Sequence, residues 1–179
     1  MHPVLFTLQF RGSAAPVPGR EGTLAAKTTA RSQVHRTALQ KAGVQGRTEP
    51  AGGGTATFES EVQFTGEGIF LEAGRISYGA AGSLTFKTVG HGVLGPSGIA
   101  GYQRGAVIWE VTGGDQRLAG ATGLITSNFS VGPQGEVVDT QVAHLLLPGE
   151  ARAAARPPRT PVLKKARPAA ARRAKRRGR

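Results

Sequence analysis

Between Gly54 and Phe64 the chain alternates without a break. Ala56, Phe58, Ser60, Val62 and Phe64 interleave with Thr55, Thr57, Glu59, Glu61 and Gln63. Successive side chains of a strand point to opposite faces, so this period of two describes a strand with one wet face and one dry face. The same pattern can be traced over Val4–Phe10, Gly22–Ala30, Gly68–Tyr78, Ser83–Gly90, Ala106–Thr112, Ala121–Val131 and Glu136–Leu147, which makes eight strands. Between them lie Thr65-Gly66-Glu67-Gly68, Gly79-Ala80-Ala81-Gly82, Thr112-Gly113-Gly114-Asp115 and Gly132-Pro133-Gln134-Gly135. Such residues tolerate the positive φ of tight turns, so sequence neighbours should pair as antiparallel hairpins. A flat sheet of eight strands would leave two edges open to aggregation, whereas closure removes them. The expectation is an all-β chain: an eight-stranded antiparallel up-and-down β-barrel of the calycin-like kind. A two-sheet sandwich is the alternative on the same periodicities.

Two stretches do not read as strands. Ser32–Ala42 carries a weak apolar stripe of Val34, Ala38 and Leu39 between a possible N-cap, Ser32, and a stop at Gly43, and reads either as a short helix or as a strand end with a loop. Gly92–Gly105, rich in glycine and interrupted by Pro96, reads as a long loop of the sort that rims a binding site.

Charge divides the chain into a body, 1–149, and a tail, 150–179. Twelve of the 23 Lys and Arg residues but one of the 11 acids lie from Glu150 onward, so the tail carries +11 of the net +12 and the body +1. Like charge together with Pro157, Pro158, Pro161 and Pro168 opposes a packed core, and disorder is expected there. Lys164, Lys165, Arg167, Arg172, Arg173, Lys175, Arg176, Arg177 and Arg179 would give sequence-independent, salt-sensitive contact with DNA or RNA, so a nucleic-acid-associated protein with a structural barrel is one alternative, and a merely solubilising extension is the other account of the tail. The tail has no aromatic residue to stack on bases. The chain contains no cysteine, which excludes disulfides, thiolate metal sites and cysteine nucleophiles. Its start lacks the pattern of a signal peptide and no run has the length of a membrane span, so a cytoplasmic protein without a membrane partner is expected.

From Gly105 to Val131 a strand leads into Thr112-Gly113-Gly114, then Arg117, Leu118 and Ala119-Gly120-Ala121-Thr122-Gly123 opening the next strand. This hairpin resembles the signature of the allene oxide cyclase-like barrels, which are related in fold to the dirigent-like proteins. The resemblance implies an eight-stranded barrel with an apolar cavity for a hydrophobic small molecule, and a cyclase or isomerase as the alternative to a binding protein. The plant cyclases' catalytic positions have no residue-by-residue match here.

Side chains on strands could be aimed inward by alternation. The candidates for chemistry are Glu72, Tyr78, Glu110, Asp139 and His144, and those for ligand contact are Val107, Trp109 and Val111. Trp109 and Glu110 are adjacent and must face opposite sides, so the expectation is Trp109 inward with Val107 and Val111, and Glu110 on the solvated face with Glu59 and Glu61. His2, His35, His91 and His144 show no metal-ligand spacing, and no metal or cofactor is expected. Gly90-His91-Gly92-Val93-Leu94-Gly95 spells G-x-G-x-x-G, but runs into a Gly- and Pro-rich segment rather than a helix.

Overall fold

The computed structural model describes residues 1–149, all of them in one compact unit. Nine antiparallel strands follow one another: β1 His2–Pro16, β2 Thr23–Gln40, β3 Gly43–Gly66, β4 Ile69–Ser77, β5 Ser83–Thr88, β6 Gly92–Pro96, β7 Gln103–Gly114, β8 Thr122–Val131 and β9 Glu136–Leu147. Two 3-10 turns, Gly79–Ala81 and Gln116–Leu118, are the only helical pieces among the described residues. No helix there is long and apolar enough to cross a membrane.

Each of the eight expected strands is present. Hydrogen bonding joins β1 to β2, β2 to β3, β3 to β4, β4 to β5, β5 to β7, β7 to β8 and β8 to β9, and β9 returns to β1 from His2↔Leu147 to Ser13↔Glu136. The result is a barrel-like sheet of eight strands in a ring. The ninth strand, β6, corrects the reading of Gly92–Gly105 as a single loop. Its short ladder bridges β4 at Ile69↔Val93 and β7 from Val93↔Ala106 to Pro96↔Gln103, and only Ser97–Tyr102 remains as a connection. Glycine hid this strand because the backbone is squeezed: a Cβ at Gly92 would overlap the Phe70 ring, and one at Gly105 would overlap the Phe129 ring. The G-x-G-x-x-G segment thus enters a strand, and among the described residues no α-helix follows it.

The helical alternative for Ser32–Ala42 is also corrected. β2 and β3 run on past an irregularity at Arg31/Gln33 and pair from Gln33↔Pro50 to Gln40↔Gly43, forming a two-stranded arm. Three apolar residues cannot bury a helix, whereas ladder bonds satisfy the backbone whatever the side chains do. The arm stays largely in solvent, with Leu39 85% and Val44 75% exposed.

Alternation dictates what fills the ring. Phe10 of β1, Ala30 of β2, Phe58 of β3, Phe70 and Ile76 of β4, Leu84 and Phe86 of β5, Val107 and Trp109 of β7, Ile125 of β8 and Leu145 of β9 are buried in one core. Phe58, Phe86 and Trp109 cluster at its centre, with centroids 5.3 Å, 5.4 Å and 4.7 Å apart pairwise. The β7–β8 connection buries Leu118 and Ala121 in the same core. Asp115 fastens that hairpin: its Oδ1 accepts from the Ser83 backbone N–H at 2.6 Å and its Oδ2 from Arg75 at 2.6 Å. The opposite charges Lys27–Glu59, Arg20–Glu61 and Lys87–Glu110 pair on the outer face, as the wet side of the alternation requires.

Candidate functional site

Two acids break the apolar interior. Glu72 and Asp139 occupy inward positions of β4 and β9 and are 7% and 4% exposed. Burying a charge without a partner is costly, so their surroundings decide what they can do. The Ser60 hydroxyl donates to Glu72 Oε1 at 2.5 Å and the Trp109 indole N–H to Glu72 Oε2 at 3.1 Å. The Ser127 hydroxyl donates to Asp139 Oδ1 at 2.6 Å and the Gln141 amide to Asp139 Oδ2 at 2.6 Å. These donors are neutral, and no Lys, Arg or His is among the buried residues described.

Burial therefore dominates the acidity of both groups. Desolvation lifts the Glu72 carboxyl to about 7, opposed by the Ser60 hydrogen bond, reinforced by the negative charge of Asp139 and again opposed by Trp109. Asp139 is lifted to about 6 by desolvation, with Ser127 and Gln141 pulling the other way. Near neutral pH the pair exchanges protons with little cost, which ordinary carboxyls do only in acid.

A partly enclosed cavity of about 60 Å³ reaches both carboxyls. It lies toward the end of the ring where β1 leaves and β2 enters, with Ala14 and Leu24 among its walls. Its walls are mostly apolar, and five of the lining side chains are aromatic: Phe58, Phe64, Phe70, Trp109 and Phe129. Phe70 stands between Phe64 and Phe129 in edge-on contacts, at 6.0 Å from each. The bare backbones of Gly92 and Gly105 allow Phe70 and Phe129 to lie against β6 and β7. Thr28 also lines the cavity; it is 2% exposed, and its hydroxyl has no hydrogen-bond partner among the described residues.

The sequence candidates separate on this geometry. Glu72, Asp139 and Trp109 come together at the cavity. Val107 is buried and Val111 half-buried on the inward face of β7, as alternation demands, but neither lines the cavity. Tyr78 faces inward away from it, against Phe6 at 5.6 Å, and burial raises its hydroxyl far above the ordinary phenol range. Glu110 lies on the outer face with Lys87 at 3.1 Å. His144 points outward from β9, exposed, and so stands apart from the interior acids. The nine tail cations Lys164, Lys165, Arg167, Arg172, Arg173, Lys175, Arg176, Arg177 and Arg179 lie outside the described residues. Sequence reasoning missed Thr28, Ser60, Ser127 and Gln141. Their signal was a polar residue at an inward position of an alternating strand, which marks a polar belt only when several strands are aligned in register. Comparison of the chain with family models, curated proteins and solved structures gives no match.

Proposed function

We propose that the ring is an up-and-down β-barrel that binds a hydrophobic small molecule in its interior. The observation that carries this reading is the aromatic cavity ending on two buried carboxyls and an unsatisfied hydroxyl, which is the usual make-up of a small-molecule site: apolar walls with a few convergent polar groups. At about 60 Å³ the cavity accommodates a small head group, and the body of a larger ligand would lie toward the half-buried Phe64 and Phe129. The resemblance of the Gly105–Val131 hairpin to allene oxide cyclase-like and dirigent-like barrels supports the same use of the interior. The reading extends to a cytoplasmic location. Trp109, the one tryptophan of the chain, reports on occupancy. A neutral apolar dye such as Nile red should change its fluorescence, and Trp109→Ala should weaken dye binding severalfold. A dye that binds wild type and Trp109→Ala equally would move the site elsewhere.

A second reading, a cyclase or isomerase, is favoured by the acidity of Glu72. A carboxyl poised at about 7 is suited to give and take protons at neutral pH. In that case Glu72→Gln would abolish turnover of a bound substrate while leaving its binding in place. For the tail, the proposed role is sequence-independent contact with DNA or RNA through its +11 charge.

A further inference from the structure

Resting on the ligand-binding reading above, we propose that the cavity selects an organic ammonium: a ligand with an apolar body whose protonated amine is held between Glu72 and Asp139. Two acids alone would not identify a ligand, but three independent features agree on its chemistry. The groups facing the carboxyls from the surrounding strands are Ser60 of β3, Trp109 of β7, Ser127 of β8 and Gln141 of β9, so no countercharge comes from the described residues. Charged residues of the ring, among them Lys27 of β2, Glu59 and Glu61 of β3, Arg75 of β4, Lys87 of β5 and Glu110 of β7, are engaged in ion pairs on the outer side. Each carboxylate oxygen accepts one side-chain hydrogen bond and keeps a lone pair for a ligand N–H.

The aromatic walls supply the second feature. Phe58, Phe64, Phe70, Trp109 and Phe129 line the cavity, and aromatic rings attract cations, most strongly when both are removed from water. A bare metal ion is a poorer fit, because no group of three metal-ligating side chains exists among the described residues and the apolar walls cannot replace its hydration shell. The third feature is Thr28, more than nine-tenths buried, whose unpartnered hydroxyl is free to accept from an ammonium N–H. A neutral ligand would leave the carboxyls to be satisfied by protons; an ammonium compensates their charge directly.

The test compares 2-phenylethylammonium with its neutral isostere 2-phenylethanol on the full-length protein, read by Trp109 fluorescence and by displacement of Nile red. At pH 8, where both carboxyls are ionised in the free protein, the ammonium should bind at least about tenfold more tightly. At pH 5, where both are protonated and the amine keeps its charge, the advantage should shrink severalfold. Glu72→Gln and Asp139→Asn, alone and together, should reduce the advantage at pH 8 while leaving phenylethanol binding nearly unchanged. Should the double variant fail to fold, Thr28→Val and the pH 5 comparison carry the test. Equal binding of the two probes at pH 8, or an ammonium preference that survives the double variant, overturns the inference and leaves the apolar site standing. If neither probe nor the dye affects Trp109, both the inference and the ligand-binding reading fail.

Discussion

Raising the pH from 5 to 8 should destabilise this protein, and replacing its interior acids should cancel the effect. The folded-state acidities of Glu72 and Asp139 lie above their ordinary values, so the native state holds these protons more tightly than the unfolded chain does. Where the native state binds more protons, stability falls as pH rises. The loss begins near the unfolded values of about 4 and is complete once pH passes about 7. At 1.36 kcal/mol per pKa unit, moving Glu72 from 4.5 to about 7 corresponds to about 3 kcal/mol, and Asp139, from 3.8 to about 6, to a similar amount. The pair interacts and water can reach its cavity, so a combined loss of about 4 kcal/mol is a fair expectation. For a body of this size each kcal/mol moves the thermal midpoint by roughly 2–4 °C, which gives a fall of about 10 °C.

Urea and thermal unfolding of wild type followed by circular dichroism at pH 5, 6, 7 and 8 would measure this slope. Glu72→Gln retains the geometry, since the amide oxygen accepts from Trp109 while its N–H donates to the Ser60 hydroxyl, and Asp139→Asn can do the same with Gln141 and Ser127. Each variant should be more stable than wild type at pH 8 by about 2 kcal/mol, after allowing for weaker neutral hydrogen bonds, and should flatten the pH slope. The salt-bridged Glu59 and Glu61, whose acidities are held below the ordinary value by Lys27 and Arg20, lose their contribution only in stronger acid and leave this window clear. Wild-type stability that rises between pH 5 and 8, or variants that keep its slope, would show that the carboxyls are hydrated and that burial does not control them.

Gly92→Ala and Gly105→Ala should each destabilise by about 1–3 kcal/mol through overpacking against Phe70 and Phe129, measurable by urea unfolding, and should alter probe binding beyond the loss of stability. Replacing residues 33–50 by a two-residue Asn-Gly turn should leave the thermal midpoint within a few degrees, because the arm buries little; a collapse of the fold would show that it packs on the ring. Full-length protein should bind duplex DNA and RNA with little sequence preference, and the 1–149 fragment should not. In filter binding across a salt series, six engaged tail cations would give a log–log slope of about −5 on duplex DNA. A slope near zero, or equal binding by the fragment, would remove the tail as an anchor.

Period-two alternation made most of the fold legible, because a ring buries one face of every strand and leaves its imprint on each. Trp109 inward and Glu110 outward follow from that rule alone. It failed where burial is not what holds the backbone: the Gln33–Pro50 arm is secured by its ladder and has no dry face to reveal it. It failed again at β6, where Gly92 occupies an inward position that alternation would fill with a large apolar side chain. Glu72 and Asp139 were legible only as acids that alternation could aim inward, in a set that also held Tyr78, which lies elsewhere in the interior, and Glu110 and His144, which face outward. What separates them is register across strands, and a single strand's sequence does not contain it.

The placement of the acids also bears on why they are there. A packed interior would be more stable with apolar residues at both positions, since a buried carboxyl costs more than its neutral hydrogen bonds return. Ser60, Trp109, Ser127 and Gln141 reach a carboxylate oxygen from β3, β7, β8 and β9, and the acids stand on β4 and β9, so the arrangement depends on five strands in register. The donors hold the carboxyls in place without neutralising them. Stability alone gives no reason to maintain such a belt, whereas recognition does: two fixed, uncompensated acids at the end of an aromatic cavity gain most from a partner that brings its own positive charge. A variant that stabilises the protein at pH 8 while abolishing the ammonium preference would show that the stability lost to these acids is tied to selectivity. Glu72→Gln is the single substitution on which both measurements can be made.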